Sequence, residues 1–414
     1  MTNDSRTFNF NILIFSLITI NIFPSALFEN LLGYRFTSIP IITTSIITYL
    51  LFTNYNFIFV GYKNKNYILF FIITTFLITL NQSLIEIKPL IFVRYFFPII
   101  VAYLVFLYLI KNNKYDISNI IIFILLLFII IFIIQKYNIF NFHNGICSVI
   151  TKYQLIARGS CNEIIRTPTF LSTEPSYHSL SVFGLLILYK LYGNQNTLFS
   201  KHKKKIHVLF LFNILIISST LAAFLSFFYI FYLLINYLFR IENIKKIYLF
   251  FLATLFIPIL FIQSNFIIKK INQTINLPSN QTISSRFFYN FYSIKDIEIY
   301  PKKKFLNFRE NIIKELIKKK NLLMLEKVPV VKIDIYKGNK FNLNSSLLYF
   351  IYDFGILLSI PFLLFNLIIL KNIFFSLNTE KLFLILPYYS VSLFAQSNFA
   401  NILMWLILFY ICKD

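Results

Sequence analysis

Residues 118–137 read SNIIIFILLLFIIIFIIQKY, with an apolar run unbroken from Ile120 to Ile134. A bilayer's hydrocarbon layer of roughly 30 Å takes about 20 residues of α-helix to cross. A helix at the surface of a soluble protein keeps one polar stripe, and this stretch has none. It reads as a helix with apolar surroundings on every side. Comparable runs recur at 8–28, 36–55, 67–81, 90–110, 174–192, 206–220, 222–239, 247–264, 346–370, 381–396 and 399–412. The fold predicted is therefore all-α, a polytopic transmembrane bundle of about 12 helices at that length per crossing.

Composition agrees. Hydrophobic residues make up 58% of the chain and charged residues 13%, too little polar surface to clothe a soluble globule of this size. The opening MTNDSRTFNFNILIFSLITINIF lacks a small-residue cleavage site before its next polar stretch, so it reads as an uncleaved first helix. The net charge of +23 accompanies no nucleic-acid-binding motif. Topology accounts for much of it. With the N-terminus inside, the cytoplasmic segments carry Arg6, Lys63, Lys65, Lys111, Lys114, Lys190, Lys201, Lys203, Lys204, Lys205, Arg240, Lys245, Lys246, Lys371, Lys381 and Lys413. The short outer loops carry only Arg35 and Lys88. Positive charge collects on the cytoplasmic side, so both termini are expected there.

The chain then divides into helices one to nine at 1–264, with an outer loop at 138–173, a large outer loop at 265–345, and helices ten to twelve at 346–414. The large loop holds 14 Lys and two Arg against six acids. Within it FLNFRENIIKELIKKKNLLML sets Phe308, Ile312 and Leu316 on one helical stripe, a predicted amphipathic helix on the membrane face. Its basic surface serves equally as a solvated or lipid-facing patch and as a funnel for a polyanionic substrate.

Few residues offer chemistry. A charge in the bilayer core costs at least ~2.5 kcal/mol, which singles out Arg94 in KPLIFVRYFFPIIVAY. It lies roughly one turn inside the outer end of its helix, where a functional guanidinium is the reading preferred and one that snorkels to the interface is the alternative. Pro98 further on is expected to open backbone carbonyls in a bent helix. In ARGSCNEIIRTPTFLSTEPSYHSLSVFG, residues 157–184, Pro175 suits a first helical turn and Glu174 stands at its positive end. His178 follows one turn later on the same face. Glu174 and His178 read either as helix-start electrostatics and packing or as an acid/base pair near Arg158 and Arg166. Cys147 and Cys161 share the outer loop. A disulfide there would contribute ~3 kcal/mol by loop entropy, and two unpaired thiols are the alternative. In INLPSNQTISSRFFYNFYSI, Arg286 is flanked by Phe287, Phe288, Tyr289, Phe291 and Tyr292, a setting for phosphate and sugar or for lipid. There is no GxxxxGK, HExxH, DxD, GxSxG or Cys/His cluster. Chemistry without nucleotide, metal or other cofactor is expected.

The layout of about a dozen spans, a large late outer loop, Arg166 followed by Glu174-Pro175-Ser176, Ser285-Arg286 early in that loop, and NLNSSLLYFIYDFGILLSI at its exit resembles the O-antigen polymerases, the Wzy group. In the exit stretch Asn344, Ser345, Tyr349 and Gly355 carry the likeness. The resemblance implies a GT-C-like glycosyltransferase in the bacterial inner membrane, acting at its outer face on undecaprenyl-pyrophosphate-linked oligosaccharide. It also implies a chain-length regulator as partner. Arg286, Arg166, Arg158 and Arg94, in falling order, would then face the pyrophosphate, and Tyr349 the glycan. Glu174 would accept the acceptor's proton or order Arg166, with His178 as the alternative base. O-antigen ligases share the layout but bring a histidine in the large loop, which 265–345 lacks. A lipid-linked oligosaccharide flippase would be expected to have short loops.

Overall fold

The computed structural model describes residues 58, 60–85, 92, 95–111, 117–137, 139, 175–193, 203–216, 220–240, 346–375, 381–395 and 401–413. These are almost entirely helical, and no strand occurs among them. In chain order the helices are α1 (Lys65–Ile85), α2 (Phe97–Lys111), α3 (Ser118–Lys136), α4 (Pro175–Gly193), α5 (Lys203–Ile216), α6 (Thr220–Arg240) and α7 (Ser346–Phe375). A short α8 (Leu386–Ser390) lies between π-helical turns at Lys381–Ile385 and Val391–Ala395, and α9 (Ile402–Lys413) follows. The helices expected at 8–28, 36–55 and 247–264, the large loop, and the 138–173 loop apart from residue 139 lie outside the described residues.

Local chemistry sets several boundaries. Pro175 opens α4, where its missing N–H costs nothing. Pro98 stands at the second position of α2; residues 92 and 95 just before it are helical and the Phe96 N–H bonds to the Phe92 carbonyl at 2.9 Å, so the helical backbone is interrupted beside the proline. Asn401 caps α9, its side-chain oxygen accepting the Met404 N–H at 3.1 Å.

Two helices, α1 and the Asp353–Phe375 part of α7, are long and apolar enough to cross a membrane. In the other helices the apolar stretches among the described residues are shorter, at 10–17 residues, as in Ser118–Ile134 and His178–Tyr192. Several leave an apolar stripe uncovered. On α1 it comprises Tyr67, Phe70, Ile73, Leu77 and Leu84. On α3 it comprises Phe123, Leu126, Ile130 and Ile133, and on α7 Ile356, Leu357, Ile360, Leu364 and Leu367. The spacing of three and four residues is that of one helix face.

The chain forms two compact units that interleave in sequence. The first contains α2 to α5, the start of α6, and α9. Here α9 packs on α2 and α4, α4 also on α3 and α5, and α5 on α3. Every residue of α9 from Ile402 to Cys412 is buried, as is α4 from His178 to Lys190. Helices apolar on all sides belong inside. Trp405 is fully enclosed, and Phe106 meets Phe409 and Tyr410 across the α2–α9 contact. Polar clasps add direction. Asn213 donates to the Leu125 carbonyl on α3 at 3.1 Å, and Asn64 donates to the Cys412 carbonyl at 2.9 Å. The latter gives a partner to a carbonyl that a helix end leaves without one. Tyr62 donates to the Tyr103 hydroxyl at 3.1 Å, and burial together with that contact holds the Tyr62 hydroxyl well above the usual tyrosine range.

The second unit contains most of α1, Tyr95, the rest of α6, α7 and the 381–395 segment. Phe71 of α1 stacks on Phe365 of α7 at 4.1 Å, the rings nearly parallel. Tyr389 donates to the Asn366 side-chain oxygen at 2.7 Å, while the Asn366 amide returns to the Phe362 carbonyl. The latter bond anchors the asparagine to its own helix as the former crosses to α8.

Candidate functional site

Helix α7 begins as its sequence suggests, with small and polar residues giving way to an apolar run. It does not wind evenly to the end. Gly355 has φ 76° and ψ 169°, a backbone region open to glycine and strained for any residue with a Cβ. The Ser359 hydroxyl donates to the Gly355 carbonyl at 2.6 Å, one turn beyond the break. Pro361, which has no N–H to give, follows inside the second half.

Two residues before the break stands Asp353, only 5% exposed. Its carboxylate accepts the hydroxyl hydrogen of Tyr95, which is itself wholly buried. The Tyr95 ring lies edge-on to Phe350 at 5.8 Å and to Phe354 at 5.0 Å. Phe350 in turn tilts against Phe354 and Phe362, each at 4.6 Å. An acid is thus held by a phenol inside aromatic walls, at a discontinuity in an apolar helix. Burying a carboxylate costs several kcal/mol unless partners compensate, so such groups are rare and usually mark a working site. The group can accept a proton, bind a hydroxyl or balance a cation.

The sequence-predicted residues fall differently. Arg94, Arg158, Arg166, Glu174, Arg286, Cys147 and Cys161 lie outside the described residues. Tyr349 lies in the first turn of α7, in the second unit. His178 lies in the first turns of α4, in the first unit, 1% exposed and edge-on to the Phe128 ring at 4.7 Å. Among the described residues no group of three or more His, Cys, Asp or Glu could hold a metal ion.

Asp353 was not among the candidates drawn from the sequence, although a signal was present. It is the lone acid of SLLYFIYDFGILLSIPFLLF, two residues ahead of the only glycine there. No family model, curated protein or solved structure matches this chain.

Proposed function

We propose that this chain is a membrane-embedded glycosyltransferase of the O-antigen polymerase type, joining undecaprenyl-pyrophosphate-linked repeat units at the outer face of the bacterial inner membrane. The observation that carries the reading is α7, an apolar helix leaving the large loop with a buried acid and a glycine break. Uncovered apolar stripes on α1, α3 and α7 support lipid as the surrounding medium, since soluble proteins rarely expose contiguous apolar patches of such extent. About 12 spans with both termini cytoplasmic complete the topology.

On this reading the bond broken is already activated, so neither nucleotide nor metal is required. Arg286, Arg166, Arg158 and Arg94 stabilise the charge that develops on the departing pyrophosphate in a partly dehydrated site. Glu174 and His178 are candidates for receiving the acceptor's proton, and Glu174 alternatively orders Arg166. Tyr349, in the first turn of α7, contacts the glycan. A chain-length regulator sets how often the cycle repeats.

A glycan gel of a deletion strain tests the proposal. Loss of long chains with a single capped unit retained is the result expected. Loss of all O-chain with lipid-linked polymer accumulating would instead identify a ligase. One observation favours a further reading, transport of the lipid-linked oligosaccharide: broken apolar helices with buried polar groups are how many transporters build their binding sites. Single units accumulating on the inner face would establish it.

A further inference from the structure

We infer that Asp353, held by Tyr95 at the Gly355 break, is the catalytic residue that takes the proton of the attacking hydroxyl; this assignment rests on the polymerase reading above. Three features of the second unit converge on it. The carboxylate is already oriented, since the Tyr95 hydroxyl donates to it and the Tyr95 ring is fixed by Phe350 and Phe354. A preoriented acceptor needs little reorganisation at the moment of transfer. The break lies beside it, and a helix interrupted at a glycine with φ 76° permits the Ser346–Phe354 half to turn against the remainder. That motion gives a buried acid access to substrate. Finally, the residues just past the break, Ile356, Leu357 and Ile360, are exposed and continue the apolar stripe of α7. A polyprenyl-anchored acceptor travelling along that stripe arrives at the acid.

The step balances without a further reagent. The acceptor sugar's O–H bond breaks and its proton passes to the Asp353 carboxylate. The freed oxygen bonds to the anomeric carbon of the donor glycan as that carbon's bond to the pyrophosphate oxygen breaks. The electron pair leaves with the polyprenyl pyrophosphate. Tyr95 is a positioning residue, acting through the carboxylate it holds.

The test uses membranes from the deletion strain carrying the wild-type chain, Asp353→Asn, Asp353→Glu or Tyr95→Phe. Asn keeps an acceptor for the Tyr95 hydroxyl and removes basicity, so polymer formation is expected to fall at least about 100-fold, the lower end of what a general base supplies. Asp353→Glu should restore part of that loss. Tyr95→Phe should reduce polymerisation by about tenfold, consistent with the loss of one modest hydrogen bond. A hydrophobic carbodiimide, which reacts with carboxyl groups in apolar surroundings, should label the Asp353 peptide and stop polymer formation in step with labelling. If Asp353→Asn fails to accumulate, the labelled wild type decides: full activity after complete labelling overturns the assignment. Normal laddering in Asp353→Asn also overturns it, leaving the polymerase reading intact. If the wild-type chain itself restores no polymer, both fall.

Discussion

The side-chain amide of Asn213 donates to the main-chain carbonyl of Leu125 at 3.1 Å and to that of Leu209, on its own helix, at 2.8 Å. One side chain thereby joins α5 to α3 and holds itself in place. Replacing it by Leu should lower stability by about 1 kcal/mol, the scale of interhelical hydrogen bonds in apolar bundles. Thermal unfolding of the detergent-purified protein would read this as a lowered Tm, and an unchanged Tm would show that the contact contributes nothing.

Gly355→Ala should cost about 1–3 kcal/mol, because a Cβ at φ 76° and ψ 169° is strained whatever space surrounds it. An Ala that melts at the wild-type temperature would mean that α7 can wind through without its break. Polymer formation should also drop, since the Ser346–Phe354 half would lose its hinge.

His178 is enclosed against Phe128, so its ring is expected to matter through shape. His178→Phe should retain most polymerisation, while His178→Ala should lower the Tm by removing packing worth roughly 2 kcal/mol. Complete loss of polymer in a stably accumulated His178→Phe protein would restore the imidazole as a base.

On the proposed polymerase reading, Arg286→Ala and Arg166→Ala should each abolish laddering while single repeat units still reach the surface, since each would remove charge from the leaving-group site. Chains of normal length distribution in either variant would remove that arginine from the site. Glu174→Gln should keep polymer formation near normal, because an amide preserves the side chain's shape and the proposed proton acceptor is Asp353. A loss as large as that of Asp353→Asn would return the role to Glu174.

Much of the helical layout could be read from one-dimensional patterns. The run Ile120–Ile134 needs no partner to declare a helix, and Pro175 marked the first turn of α4 from its missing N–H alone. Pro98 marked where a helical run is interrupted, since it has no N–H to carry the ladder on. Asp353 escaped notice. Its partner Tyr95 lies 258 residues away, and nothing local distinguishes a buried acid from one that faces water. In the sequence Gly355 stood out only among the residues that carry the resemblance; the break and its positive φ come from the folded backbone.

The enclosure of α9 bears on how the protein is made. Ile402–Cys412 fills a slot bounded by α2 and α4, and Asn64 holds the Cys412 carbonyl at its far end. Every other described helix of that unit precedes α9 in the chain. Until it arrives, the faces of α2 and α4 that pack on α9 in the folded unit lack that cover. Assembly of this unit is therefore completed after synthesis of its earlier helices, by the docking of one late segment. A stop codon at Asn401 should thus be nearly as damaging to the unit as one hundreds of residues earlier.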